Sequence, residues 1–135
     1  MLKLQFKYLS FFFGIISILS FFNIIYSYYL NLYLNLNTYY YSLIVSFIIS
    51  VIFYKLKIQS KKISIFDKIL TVFLGYLLIP LILSIPFYFS IYNLTFLNSY
   101  FESVSGFTST GFTIFENIKL IDQSLILWRS STQWI

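Results

Sequence analysis

Three long apolar runs constrain the fold of this chain more than any other feature. They occupy residues 9–30, 39–54 and 65–90 of a 135-residue sequence. About 20 apolar residues in a helix cross the ~30 Å hydrocarbon core of a bilayer, and a helix satisfies its own backbone hydrogen bonds there. Only 10% of the residues are charged, against about 25% in a typical soluble domain. The sequence therefore predicts an all-α integral membrane protein with three transmembrane helices in a lipid bilayer.

The lysines predict the orientation of these helices. Lys3 and Lys7 precede the first run, and residues 55–62 between the second and third runs are rich in lysine, whereas residues 31–38 contain none. Because positive loops remain in the cytoplasm, we expect a cytoplasmic N-terminus and a multi-pass protein of the cell inner (plasma) membrane. The net charge of +5 is concentrated around this loop, so it does not indicate nucleic-acid binding. The first run is too long for a signal peptide and lacks a small-residue cleavage site.

The composition argues against an enzyme. The chain has no cysteine and no histidine, so it contains no disulfide and lacks the commonest general base and metal ligand. The acidic residues are scattered and form no paired constellation, at Asp67, Glu102, Glu116 and Asp122. No nucleophile with a neighbouring base is visible, and no cofactor or metal other than a transported ion is indicated.

Two local signals shape the later part of the chain. Ser64 followed by Asp67 is typical of a helix start, and Pro80 and Pro86 predict a bend in the outer half of the third span. Beyond residue 122 a further apolar segment begins. Its Trp128 and the later Trp134 are interpreted as anchors at the membrane interface.

The most polar stretch is FESVSGFTSTGFT at residues 101–113. Ser99 and Glu102 have the capping-box spacing, and Gly106 suits a helix C-terminus. These residues predict a helix of about eight residues, or roughly 12 Å. Such a helix covers less than half of the bilayer, so it would dip into the membrane and return.

The residues after this helix have the chemistry of an ion-selective filter. Thr108, Ser109 and Thr110 offer hydroxyls and carbonyls without fixed charge, as a site that binds and releases a cation requires. Gly111 can adopt backbone angles that other residues avoid, which lets successive carbonyls point the same way. The alternative, a plain external loop in a free-standing small membrane protein with a structural or interaction role, stays open on the residues alone. Glu102 is expected to cap the helix or to pair with a neighbouring cation.

Residues 101–113, together with LWRSSTQWI at residues 127–135, resemble the first pore loop and following helix of the Trk/Ktr/HKT superfamily of potassium transporters, with the best match to the TrkH-type membrane subunit. The order of segments is also similar. Two preliminary helices would fall within residues 1–62, and the first helix–pore-loop–helix unit, truncated early in its second helix, within residues 63–135.

The resemblance implies a potassium pathway in which one polypeptide supplies four such units. It assigns the first filter strand to Thr108, Ser109, Thr110 and Gly111, with Ser99, Glu102 and Gly106 supporting the pore helix. It further implies a homodimer and a cytosolic TrkA-type nucleotide-binding regulator for a full-length protein. Phe112 replaces a frequent alanine and must point away from the pore axis. With one unit of four, this chain is expected to be an N-terminal piece that does not conduct alone.

Overall fold

The computed structural model describes residues 6–56 and 64–135. Within these ranges every regular element is a helix, and three of the helical stretches are long and apolar enough to cross a membrane. The prediction of an all-α protein with three such helices and shorter ones is confirmed. The α-helices are α1 (Phe6–Tyr29), α2 (Leu36–Lys55), α3 (Ile65–Leu83), α4 (Ile85–Tyr88), α5 (Phe96–Phe107) and α6 (Gln123–Ser131), with 3₁₀ turns at Ile118–Leu120 and Thr132–Trp134.

Helices α1 and α2 form an antiparallel hairpin held by small polar side chains. Ser10 Oγ donates to the carbonyl of Ser50 over 2.9 Å, and Ser50 Oγ donates back to the carbonyl of Ser10 over 2.8 Å. Further along the hairpin, Ser20 Oγ donates to Ser42 Oγ over 3.0 Å. Small residues allow helix backbones to approach closely in lipid, where apolar attraction between helices is weak. The hairpin is therefore joined by hydrogen bonds and close packing.

Helix α3 begins as the sequence predicts. Ser64 Oγ accepts from the amide of Phe66, and Asp67 Oδ2 accepts from the amide of Ser64 over 3.2 Å. The lysine-rich loop lies mostly at residues 57–63, outside the described residues, as does the boundary predicted at residues 62 and 63. The division of the chain at that boundary stays a prediction.

The two prolines surround an interruption of the third span. Pro80 lies within α3, and Pro86 lies in the first turn of α4. Between them the helix breaks at Ser84, whose amide donates to the carbonyl of Pro80 over 2.9 Å. The span is thus divided near its C-terminal end, where the short helix α5 packs against it.

Trp128 forms the centre of the buried core and does not act as an interface anchor. Its side chain is fully buried, and its Nε1 donates to the carbonyl of Leu83 over 3.1 Å. The last carbonyls of a helix lack partners within the helix, so this bond completes the end of α3. Trp134, by contrast, is 86% exposed. The interface interpretation of Trp128 is therefore wrong, because a buried carbonyl supplies the partner expected from the headgroup region.

Candidate functional site

The candidate site is built on the half-length helix α5. It contains 12 residues, or roughly 18 Å, which is well short of the ~30 Å hydrocarbon core. Its first turn is capped by Thr95, whose Oγ1 accepts from the amide of Asn98 over 3.3 Å. The predicted cap at Ser99 is therefore wrong, since the helix starts one turn earlier and Ser99 donates from inside it to the carbonyl of Thr95.

The buried face of α5 is small and polar. It consists of Ser99, Glu102, Ser103, Ser105 and Gly106. Ser103 Oγ donates to the carbonyl of Pro80 over 2.7 Å, a carbonyl in the proline-interrupted part of α3. This bond fixes the short helix against the break in the longer one.

Gly106 does not cap the helix, as the sequence suggested, because the helix continues to Phe107. A Cβ on Gly106 would collide with the Thr132 hydroxyl and would lie 3.5 Å from the Arg129 carbonyl. Glycine is therefore needed here for close approach of α5 to the end of α6. The left-handed residue after the helix is Ser109, with φ of +56°.

The chain reverses direction at residues 108–110. The amide of Thr108 donates to the carbonyl of Val104 over 2.8 Å, and the amide of Ser109 donates to that of Gly106 over 2.9 Å. The amide of Thr110 donates to the carbonyl of Ser105 over 3.1 Å. These bonds satisfy carbonyls that a helix end leaves free. The turn is consequently a direct extension of α5.

A buried carboxylate holds the segment that leads back from this turn, residues 111–114, which we call the returning strand. Glu102 is fully buried, and its Oε1 accepts from Thr113 Oγ1 over 2.7 Å and from the amide of Ile114 over 2.6 Å. Its Oε2 forms an ion pair with Arg129 Nε over 2.9 Å. The predicted partnership of Glu102 with a neighbouring cation is thus present in the structure, whereas the predicted capping role is not.

Arg129 links the ion pair to the strand itself. Its Nη2 donates to the carbonyl of Phe112 over 2.7 Å and to that of Gly111 over 3.3 Å. The planar guanidinium presents several donors in fixed directions, so one side chain of α6 holds a carboxylate and two backbone carbonyls. We call Glu102 and Arg129 the return clamp.

The four predicted filter residues lie together in one exposed turn. Gly111 has φ of +78°, a region that residues with a side chain avoid. A Cβ added to Gly111 would find nothing within 4 Å, so the constraint on this position within the described chain is conformational. Phe112 is 71% exposed. The turn therefore presents its surface to solvent or to groups outside this chain.

A second polar cluster, which the sequence did not predict, connects three segments: the start of α2, the loop after α4 and the start of α6. Asp122 Oδ2 accepts from Asn35 Nδ2 over 3.0 Å and from Ser124 Oγ. Ser124 Oγ is also hydrogen-bonded to the Tyr39 hydroxyl over 2.9 Å, and Asn35 Oδ1 accepts from the amide of Ile91 over 3.1 Å. The cluster fixes the start of α6, and with it Arg129, relative to the α1–α2 hairpin.

Two curated transport proteins are similar in sequence to this chain. Over 124 residues, or 90% of the chain, it is 31% identical to a protein of Methanocaldococcus jannaschii described as an uncharacterized cation transporter. Over 57 residues, or 42% of the chain, it is 40% identical to the Trk system potassium uptake protein TrkI of Halomonas elongata. The chain is homologous to these cation transporters. The resemblance deduced from residues 101–113 and 127–135 is thereby confirmed.

The match covers only part of each homologous transporter. The chain spans 26% of the length of the archaeal relative and 10% of the length of the Halomonas one. No protein-family model and no solved structure matches it. By their names, one relative is a cation transporter and the other a potassium uptake protein.

Proposed function

We propose that this chain supplies one pore-loop unit of a potassium uptake pathway, with Thr108, Ser109, Thr110 and Gly111 as its filter strand. The observation that carries the proposal is the return clamp. A half-length helix followed by a strand that turns back at once is the backbone arrangement that a filter needs. Irregular backbone at membrane depth requires protein to satisfy its polar groups, and Glu102 and Arg129 do so for residues 111–114.

Homology supports potassium as the cargo. One relative is named as a potassium uptake protein, and the exposed turn offers hydroxyl and carbonyl oxygens, the ligands of hard monovalent cations. The cytoplasmic N-terminus, the homodimer and the TrkA-type regulator belong to the same proposal. They rest on the lysine distribution and on the resemblance in residues 101–113.

One strand cannot complete an ion site. A dehydrated charge in lipid costs several kcal/mol or more, and a single turn leaves most directions around the ion without ligands. We therefore expect no potassium uptake from residues 1–135 alone. The remaining ligands would come from further pore-loop units, which the length of the relatives accommodates.

The test is a chimera in which residues 1–135 replace the aligned segment of the archaeal relative. Expressed in a bacterial strain deficient in potassium uptake, the chimera should restore rubidium uptake, while the 135-residue chain alone should not. Uptake by the chain alone would contradict the need for further units. An inactive chimera that still reaches the membrane would favour the alternative of a structural membrane protein with an external loop.

A further inference from the structure

A groove separates the N-terminal end of α1 from residues 68–79 of α3. It encloses about 540 Å³ and is lined by Leu9 and Phe12 from α1 and by Val72 and Ile79 from α3, among other apolar residues. Its walls are open on one side, since Val72 is 59% exposed. The groove lies between two of the helices that are long and apolar enough to span a membrane.

The length of the groove corresponds to one leaflet. It extends along α3 from Lys68 to Ile79, which is roughly 17 Å at the rise of an α-helix. Half of the hydrocarbon core is about 15 Å. Phe107 and Ile135 also line the groove, and the Phe107 ring packs edge-on against that of Tyr76 with centroids 5.4 Å apart. An acyl chain entering from the Lys68 end would thus reach its end near the middle of the bilayer.

The open end of the groove carries positive charge. Lys68 lines it and is exposed, one turn after the start of the third span. The neighbouring carboxylate of Asp67 is buried and accepts from the amide of Ser64, so it is directed to the helix start. In the sequence, Lys61 and Lys62 precede the span by a few residues. Basic residues at the cytoplasmic ends of gaps between transmembrane helices bind anionic lipid headgroups.

We propose that this groove binds one anionic phospholipid, with an acyl chain against Leu9, Phe12 and Val72 and the phosphate at Lys68. The apolar lining, the length of one leaflet and the charge at one end together match a lipid more closely than a soluble ligand. A phospholipid in this position fills the space between α1 and α3 and supports Phe107, the last residue of the pore helix.

The test is native mass spectrometry of the purified 135-residue chain in detergent with phosphatidylglycerol or phosphatidylcholine of identical acyl chains. We expect one phosphatidylglycerol retained per chain and weaker retention of phosphatidylcholine. Lys68→Gln should lower the affinity for phosphatidylglycerol by about fivefold, the contribution of one lysine near a membrane surface. Lys119→Gln, which removes an exposed lysine from a distant loop, is the matched control and should have no effect.

A second pair of variants tests the groove itself. Val72→Trp fills it and should abolish retention of the lipid, whereas Val51→Trp, on the exposed face of α2, should not. Equal retention of the two lipids, or equal effects of Lys68→Gln and Lys119→Gln, would overturn the proposal. So would retention unaffected by Val72→Trp. A chain that binds no lipid and dimerises through the groove, with the dimer lost in Val72→Trp, would assign the groove to a second copy.

Discussion

Neutralising Glu102 should release the returning strand from the pore helix. Glu102→Gln keeps an acceptor for Thr113 and Ile114 but replaces the ion pair with Arg129 by a neutral contact. Removing one partner of a buried ion pair costs about 3–5 kcal/mol. The Arg129 side chain is 18% exposed and Glu102 fully buried, so part of the arginine charge can be hydrated. We therefore expect the lower end of this range, about 3 kcal/mol.

Hydrogen exchange of the Ile114 amide measures this change directly, because that amide donates to Glu102 Oε1. A loss of about 3 kcal/mol in local opening free energy should accelerate its exchange roughly a hundredfold. Glu116→Gln makes the same chemical change at an exposed acid of the loop that contains Ile114, and it should leave the exchange of the Ile114 amide unchanged. Exchange in Glu102→Gln within threefold of the unmodified protein would refute the role of the clamp.

A double variant separates the charge from the hydrogen bonds. Combining Glu102→Gln with Arg129→Gln removes both charges and leaves two side chains that can still hydrogen-bond. Because replacing both partners costs less than leaving one charge unpaired, exchange of the Ile114 amide should be slower in the double variant than in Glu102→Gln. Faster exchange in the double variant would contradict this expectation, and would show that the bonds from Arg129 to the carbonyls of Gly111 and Phe112 outweigh the cost of the unpaired charge.

Three further changes have defined outcomes. Gly106→Ala should destabilise the protein by about 1–3 kcal/mol, because the new methyl group contacts Thr132. Thermal unfolding measures this loss, and adding Thr132→Ala should recover part of it. An unchanged unfolding temperature in Gly106→Ala would contradict the close approach of the two helices. Asn35→Ala removes partners of Asp122 and of the Ile91 amide and should lower the unfolding free energy by about 2 kcal/mol, whereas Asn98→Ala, at the exposed start of α5, should change it little. Single cysteines at the exposed positions Tyr33 and Lys55 should be labelled in intact cells from outside at residue 33 only; the reverse pattern would invert the orientation.

The sequence predicts the long helices because their signals are strong and local. A run of about 20 apolar residues leaves few alternatives in a membrane, and the capping box at Ser64 and Asp67 depends on residues three apart. The start of α5 was misplaced because Thr95 and Ser99 are both hydroxyl residues within one turn of each other. The structure chooses Thr95, since Ser99 then faces the buried side.

The clamp and the second polar cluster depend on contacts between distant residues. Glu102 was expected to pair with a cation, but Arg129 lies 27 residues later, and no periodicity joins the two positions. A single acid in a helix without other charges, together with a single arginine in the next α-helix, is the signal that could have suggested the pair. Asp122 and Asn35 are 87 residues apart and gave no such signal. The role of Gly106 likewise depends on Thr132, which only the packing of α6 brings close.

The selectivity of the chimera for potassium over sodium tests most directly whether residues 108–111 line the ion path. Gly111→Ser places a side chain on a residue with φ of +78°, at a cost of roughly 1 kcal/mol or more, and should reorient the neighbouring carbonyls. Gly14→Ser makes the same substitution in the α1–α2 hairpin, where the new Cβ would lie 3.5 Å from Ser50 Oγ, and is the control. We predict that Gly111→Ser lowers the ratio of potassium to sodium permeability, measured by the competition of sodium with rubidium uptake. Gly14→Ser should leave this ratio unchanged. An unchanged ratio in Gly111→Ser at matched expression would contradict the assignment of this turn as a filter strand.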